Sequence, residues 1–210
     1  MKKENIHEFF KRLQADNPDP KSDLEYTNPY TLLVAVVLSA QSTDKGVNKA
    51  TRALFAYVDT PQKMLDLGLD SLKNHIKTIG LYNNKAKNII ALSESIIRDF
   101  DGQVPDTRED LMSLAGVGRK TANVVLNIVF KQPTMAVDTH IFRVSNRTDL
   151  AKGKNPDAVE AALLKAVPEE FSLPAHHWLI LLGRYTCKAR SPECTKCIVA
   201  DLCAFKEKII

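Results

Sequence analysis

The 210-residue sequence predicts an all-α fold of around ten short helices. Apolar residues recur mostly at helical spacing, only 8 glycines interrupt them, and no stretch alternates convincingly as a strand. Hydrophobic residues at 44% and charged residues at 26% suit a soluble globular chain able to bury one core or two small ones.

The elements follow in order. In "MKKENIHEFFKRLQAD", Ile6, Phe9, Phe10 and Leu13 lie at helical spacing without a continuous apolar run, so a helix is expected rather than an export signal, and with it a cytosolic protein. "YTLLVAVVLSA" (30–40) is too short to span a bilayer and reads as a helix buried on most sides, closing in "SAQSTD" with Gln41. "IKTIGLYNNKAKNII" (76–90) overlays "LMSLAGVGRKTANVV" (111–125) at an offset of 35. Lys85 matches Lys120, Asn88 matches Asn123, and both segments read as helix, tight turn, helix. The first turn, Gly80-Leu81-Tyr82, is bulky at its tip where the second has Gly116-Val117-Gly118. Thr107 with Asp110 opens the helix before the second turn, and Asn155-Pro156 opens another. Pro174 opens "AHHWLILLG", expected to stop at Gly183.

The glycine turn is not a nucleotide loop. Arg119 separates Gly118 from Lys120, which breaks the Walker spacing, and Thr121 stands where the third glycine of a dinucleotide motif belongs. A glycine turn between helices instead brings backbone close to a ligand and points a helix's unpaired N–H groups at it. Such a terminus suits one phosphate of a nucleic-acid backbone, a contact without sequence information. This is the helix-hairpin-helix signature. The charge agrees: of a formal net +4, all can be assigned to residues 119–152, which hold six Lys or Arg and two Asp or Glu.

Lys120 follows Arg119 directly at the start of the second hairpin helix. An amine nucleophile must lose its proton, and a helix N-terminus, a neighbouring cation and partial burial all favour that loss. A simple phosphate contact is the plainer reading. Asp138, in "MAVDTHIFRV", reads first as an N-cap, and a fixed carboxylate also suits charge stabilisation or proton relay. His140 is assigned no catalytic role, and the pair His176-His177 lacks partners at metal-ligand spacing. All four cysteines fall at the end, as C-x6-C-x2-C-x5-C (Cys187, Cys194, Cys197, Cys203). Clustered cysteines in a cytosolic chain indicate metal rather than disulfides, and spacing leaves both Zn2+ and a [4Fe–4S] cluster open. Between the first two cysteines, Lys188 and Arg190 are candidates for DNA phosphates, offset by Glu193.

"LAGVGRKTANVVLN", "AVDTHIFRV", "LLSAQSTD" and the cysteine tail resemble the endonuclease III family, bifunctional DNA glycosylases and AP lyases of the helix-hairpin-helix superfamily. The likeness runs from "NPDP" (17–20) to "DLC" (201–203). It implies two all-α lobes: a six-helix lobe of 22–133, with the hairpin at about 107–130, and an iron–sulfur lobe of 1–21 plus 134–210. Lys120 and Asp138 would face one another across the cleft. Lys120 becomes the Schiff-base nucleophile, Asp138 the catalytic carboxylate, and the four cysteines the ligands of a [4Fe–4S] cluster. Gly116, Val117, Gly118 and Arg119 would grip DNA. Chemistry on a stacked base requires extruding it. Gln41 would then pair with the orphaned base, Leu81 would act as the wedge, and Asp44 would cap its helix or line the pocket.

The expected function is removal of oxidised pyrimidines from duplex DNA in base excision repair, with β-elimination on the 3′ side of the abasic site. A cytoplasmic, nucleoid-associated monomer is expected. Two alternatives remain. An adenine-mismatch glycosylase usually lacks a lysine at the position of Lys120 and carries a further C-terminal domain, whereas this sequence runs only seven residues past Cys203. A non-catalytic binding module would leave Lys120 and Asp138 free to vary.

Overall fold

The structure, a computed structural model, describes residues 1–208. Eleven α-helices occur among them, with no strand. They are α1 (Lys3–Asp16), α2 (Pro29–Ser39), α3 (Asp44–Phe55), α4 (Pro61–Leu67), α5 (Leu69–Ile76) and α6 (Tyr82–Asp99). After these come α7 (Arg108–Ser113), α8 (Arg119–Ile128), α9 (Thr139–Thr148), α10 (Pro156–Ala166) and α11 (Ala175–Leu181). None is long and apolar enough to cross a membrane. The chain forms two compact units, Ser22–Phe130 and Met1–Lys21 with Lys131 onward.

In the unit of Ser22–Phe130, α2 is the central element because its sequence leaves no polar face: every residue from Tyr30 to Leu38 is buried. Its start is fixed by Pro29 in the first turn and by a reciprocal cap, in which the Asn28 side chain accepts from the Thr31 N–H and the Thr31 hydroxyl from the Asn28 N–H. Threonines 43, 60 and 107 cap α3, α4 and α7 in the simpler way. Around α2 pack Leu54, Met64, Leu72, Ile76, Ile89, Leu92, Leu111 and Val125, all fully buried. Tyr30 and Ser93 join α2 to α6 by a buried hydroxyl pair at 2.6 Å.

The second unit has its own core. Phe9 and Phe10 of α1 are fully buried, and Phe10 lies 5.9 Å from Phe171 and 6.3 Å from Trp178, ring centroid to centroid. The Trp178 indole N–H donates to the Asn17 carbonyl at 2.7 Å, so the buried ring leaves no polar atom unsatisfied. The expected stop at Gly183 does not occur. After α11 the chain widens into a π-helical turn, Leu182–Thr186, that runs on to Cys187. Gly183 serves close approach instead: a Cβ there would lie 2.8 Å from the His140 Cβ and 3.0 Å from its carbonyl oxygen.

Candidate active site

The glycine turn joins α7 to α8. Gly116 takes a left-handed backbone, φ 78°, and a Cβ there would stand 2.8 Å from the Asn88 Nδ2, so glycine is required twice over. Val117 corrects its assignment to the DNA face. Its side chain is buried in the α2 core and its N–H donates to the Leu114 carbonyl at 3.1 Å, so it anchors the turn. Gly118 is the N-cap of α8 and offers no side-chain cap, which leaves the first-turn N–H groups of the helix available to an external acceptor. Arg119 and Lys120 occupy that first turn, and both are exposed. Lys120 thus stands at the helix terminus, beside Arg119, with its side chain exposed.

The structure places Gln41 two residues past the end of α2 rather than within it, exposed and with φ 55°. Leu81 is the N-cap of α6, with φ 60°, and 61% of its surface is exposed. Both candidate insertion residues are therefore non-glycine residues in the left-handed region, where a side chain costs about 1–2 kcal/mol. Such strain persists at functional positions. Thr43 caps α3, so Asp44 is not the cap and stands half-buried in the helix's first turn.

In the other unit, Asp138 is indeed an N-cap. Its Oδ1 accepts from the His140 N–H at 2.8 Å and the Ile141 N–H at 2.9 Å, and its Oδ2 pairs with the His140 Nδ1 at 2.9 Å. The carboxylate, one-eighth exposed with its side chain at 12%, is held rigidly by the start of α9. His140, given no role from sequence, is thus a side-chain partner of Asp138.

The four cysteines line one half-buried pocket with Leu182, Val199 and Phe205. Burial pushes the Cys197 and Cys203 thiols up, so they ionise only when a cation compensates. The Arg147 guanidinium donates toward the Cys187 Sγ at 3.7 Å, and the Phe205 N–H toward the Cys203 Sγ at 3.5 Å. Among the described residues no three His, Cys, Asp or Glu side chains converge as ligands of one ion would. Four soft sulfurs spread around an apolar pocket, with N–H donors at two of them, fit a cluster with one thiolate per iron.

Arg143 and Arg147 were missed as structural residues. The Arg143 guanidinium donates to the carbonyls of Cys187 (2.9 Å) and Gly183 (2.7 Å), and that of Arg147 to those of Lys188 (2.7 Å) and Ala189 (3.0 Å). Their i, i+4 spacing on α9 was the available signal. Together with Lys152, which pairs with Asp149, they spend half of the cations in residues 119–152 inside the protein. In the cysteine loop, Lys188 and Lys196 both pair with Glu193 and push its carboxyl down to about 2. Lys188 is therefore engaged within the loop, while Arg190 is exposed.

A helical hairpin with an open helix terminus beside a lysine, on a two-unit all-α frame with a cysteine loop, defines the helix-hairpin-helix base-excision class. The model of the HhH-GPD superfamily of base excision DNA repair proteins matches residues 34–169, and that of the iron-sulfur binding domain of endonuclease III matches 187–203. The endonuclease III of Haemophilus influenzae is 59% identical over 209 residues, covering 100% of this chain and 99% of its own. That of Escherichia coli is 55% identical with the same coverage. A solved structure of a trapped covalent intermediate of endonuclease III with DNA superposes with a TM-score of 0.89 at 44% identity, covering 97% of this chain and 96% of its own. The chain belongs to the endonuclease III family, and it carries that family's [4Fe–4S] cluster.

Proposed function

We propose that Lys120 is the nucleophile and Asp138 the carboxylate of a DNA glycosylase with AP lyase activity, acting on oxidised pyrimidines in duplex DNA. The base-excision repair activity itself follows from family membership over the whole chain. The residue roles rest chiefly on one observation: an exposed lysine in the first turn of a helix that no side chain caps.

A backbone phosphate docks on the open N–H groups of α8, and the same anchoring brings the sugar to Lys120. DNA laid over the exposed amine excludes water from it. The Lys120 Nζ then attacks the sugar C1′. The bond from C1′ to the base breaks and its electrons leave with the base; the C1′–O4′ bond of the resulting aminal then opens, O4′ takes up the proton lost from Nζ, and an iminium joins Nζ to C1′. Loss of a C2′ proton expels the 3′ phosphate by β-elimination, and water releases Lys120. Asp138, fixed by two N–H groups and His140, stabilises the cationic sugar and accepts protons.

Gln41 and Leu81 fill the space of the extruded nucleotide, Asp44 lines its pocket, and Gly116, Gly118 and Arg119 hold the phosphates. Arg190 adds a contact at the edge, with Lys188 contributing less because Glu193 competes for it. Cys187, Cys194, Cys197 and Cys203 ligate the cluster, which when bound ties residues 187–203 into a single loop and presents Arg190. The units Ser22–Phe130 and Met1–Lys21 with Lys131 onward correspond on this reading to a hairpin lobe and an iron–sulfur lobe. The protein works as a cytoplasmic, nucleoid-associated monomer.

Borohydride reduction with duplex DNA bearing an oxidised pyrimidine is the test. A covalent adduct with the native chain, absent from Lys120→Ala, is expected. Folded, cluster-loaded protein that yields no adduct overturns the assignment.

A further inference from the structure

Lys85 is the most unusual residue outside the roles given above. Only 5% of its surface is exposed, although lysine is almost never buried without a partner. Its ammonium donates to the Leu38 carbonyl and to the Ser42 hydroxyl, each at 2.9 Å. Neither acceptor carries a charge, and burial pushes the Lys85 pKa down. A methionine would fill this volume without desolvating an ion. The buried cation therefore needs a reason beyond packing.

The two acceptors supply one. Leu38 lies in the last turn of α2, whose terminal carbonyls have no helical partner and favour a cation. Ser42 lies immediately past Gln41. The ammonium thus clamps the chain on both sides of the strained Gln41. The other end of Lys85 meets the second strained residue, because its own N–H donates to the Leu81 carbonyl at 3.1 Å. Gln41 and Leu81, 40 positions apart in sequence, are connected through one side chain and one peptide bond. Three residues on, Asn88 seats against Gly116, so the first two turns of α6 touch the Gln41 turn, the Leu81 tip and the hairpin turn.

We propose that Lys85 is a positioning residue for nucleotide extrusion, locking the Gln41 turn to the Leu81 tip so that the two side chains enter the duplex as one unit. The proposal rests on the insertion roles of Gln41 and Leu81, and it makes those roles interdependent. Leu81 caps α6 without a side-chain bond, and at the end of α2 the Ser39 hydroxyl donates to the Val36 carbonyl at 2.8 Å and does not reach the Leu38 carbonyl that Lys85 takes.

The experiment compares single-turnover excision of an oxidised pyrimidine from duplex DNA with borohydride trapping on a single-stranded abasic oligonucleotide. The single strand has no stack to wedge apart and no orphaned base to pair. Full-length, cluster-loaded Lys85→Met is expected to lose at least tenfold on the duplex and to stay within twofold of native on the single strand. Gln41→Ala and Leu81→Ala are each expected to lose about tenfold on the duplex in the native background and less than threefold in Lys85→Met. Ser42→Ala, which removes one acceptor from a half-exposed turn, is expected to lose about threefold in the same pattern and carries the decision if Lys85→Met does not fold. If Gln41→Ala and Leu81→Ala leave duplex excision unchanged, the insertion reading falls and this proposal with it. If they lose activity while Lys85→Met and Ser42→Ala keep it, or if the losses multiply, the proposal alone falls.

Discussion

The two hairpins of one unit, α5–α6 and α7–α8, share a frame and invert its use. In the first the Ile79 N–H donates to the Ile76 carbonyl at 2.8 Å, and in the second, 35 residues on, Leu114 donates to Leu111 at 3.2 Å. Each then places one residue in the left-handed region at matched positions, Leu81 with φ 60° and Gly116 with φ 78°. From there they diverge. The first hairpin exposes an apolar tip and buries its lysine, Lys85, whereas the second buries the apolar Val117 and exposes its lysine, Lys120. A scaffold that fixes where the chain turns leaves the side chains free to exchange places, and with them the faces offered to a partner.

Breaking the exposed lysine is expected to have the largest effect. Lys120→Ala removes the nucleophile and is expected to lower adduct formation at least a thousandfold, while its melting temperature holds because an exposed substitution changes stability by about 0.5 kcal/mol or less. A comparable loss of stability would show that Lys120 is structural, as Lys85 is.

The glycine of the second turn comes next. Gly116→Ala imposes both a disfavoured φ and a contact with Asn88, and is expected to cost about 1–3 kcal/mol in urea melts. Affinity for duplex DNA should fall evenly across sequences, since a phosphate contact reads none. Unchanged stability would mean that the turn relaxes freely and that the matched φ values are incidental.

The smallest effect is expected at the matching position of the first turn. Leu81→Gly relieves a strained residue that gives the core nothing, so stability should hold or rise by up to about 1 kcal/mol. Excision from duplex DNA should nevertheless fall about tenfold. A variant as active as the native chain would show the exposed leucine to be tolerated rather than used.

Much of this was legible in the sequence because it depended on local chemistry. Thr107, Asn155 and Asp138 announce helix starts through their own side chains, and the unbroken apolar run of α2 announces its burial. The glycine turn and the C-x6-C-x2-C-x5-C spacing are local too. What depended on distant partners was not legible. Nothing near Gly183 shows that His140 will press against it, so it reads as a helix stop. Arg143 and Arg147 read as DNA-directed charge because the carbonyls they bind are some 40 residues away. Lys85 matches Lys120 in the repeat, yet one is buried and the other exposed, since the acceptors of Lys85 lie on α2 and the turn after it.

The missing side chain at Gly116 also sets a length. With Asn88 lodged where a Cβ would be, the second hairpin butts against the first, and a methyl group is already too thick for the gap. On the proposed reading, the spacing from phosphate grip to wedge is then a constant of the protein. DNA must deform to match it, and base steps that kink cheaply meet the gauge at lower energy than stiff ones.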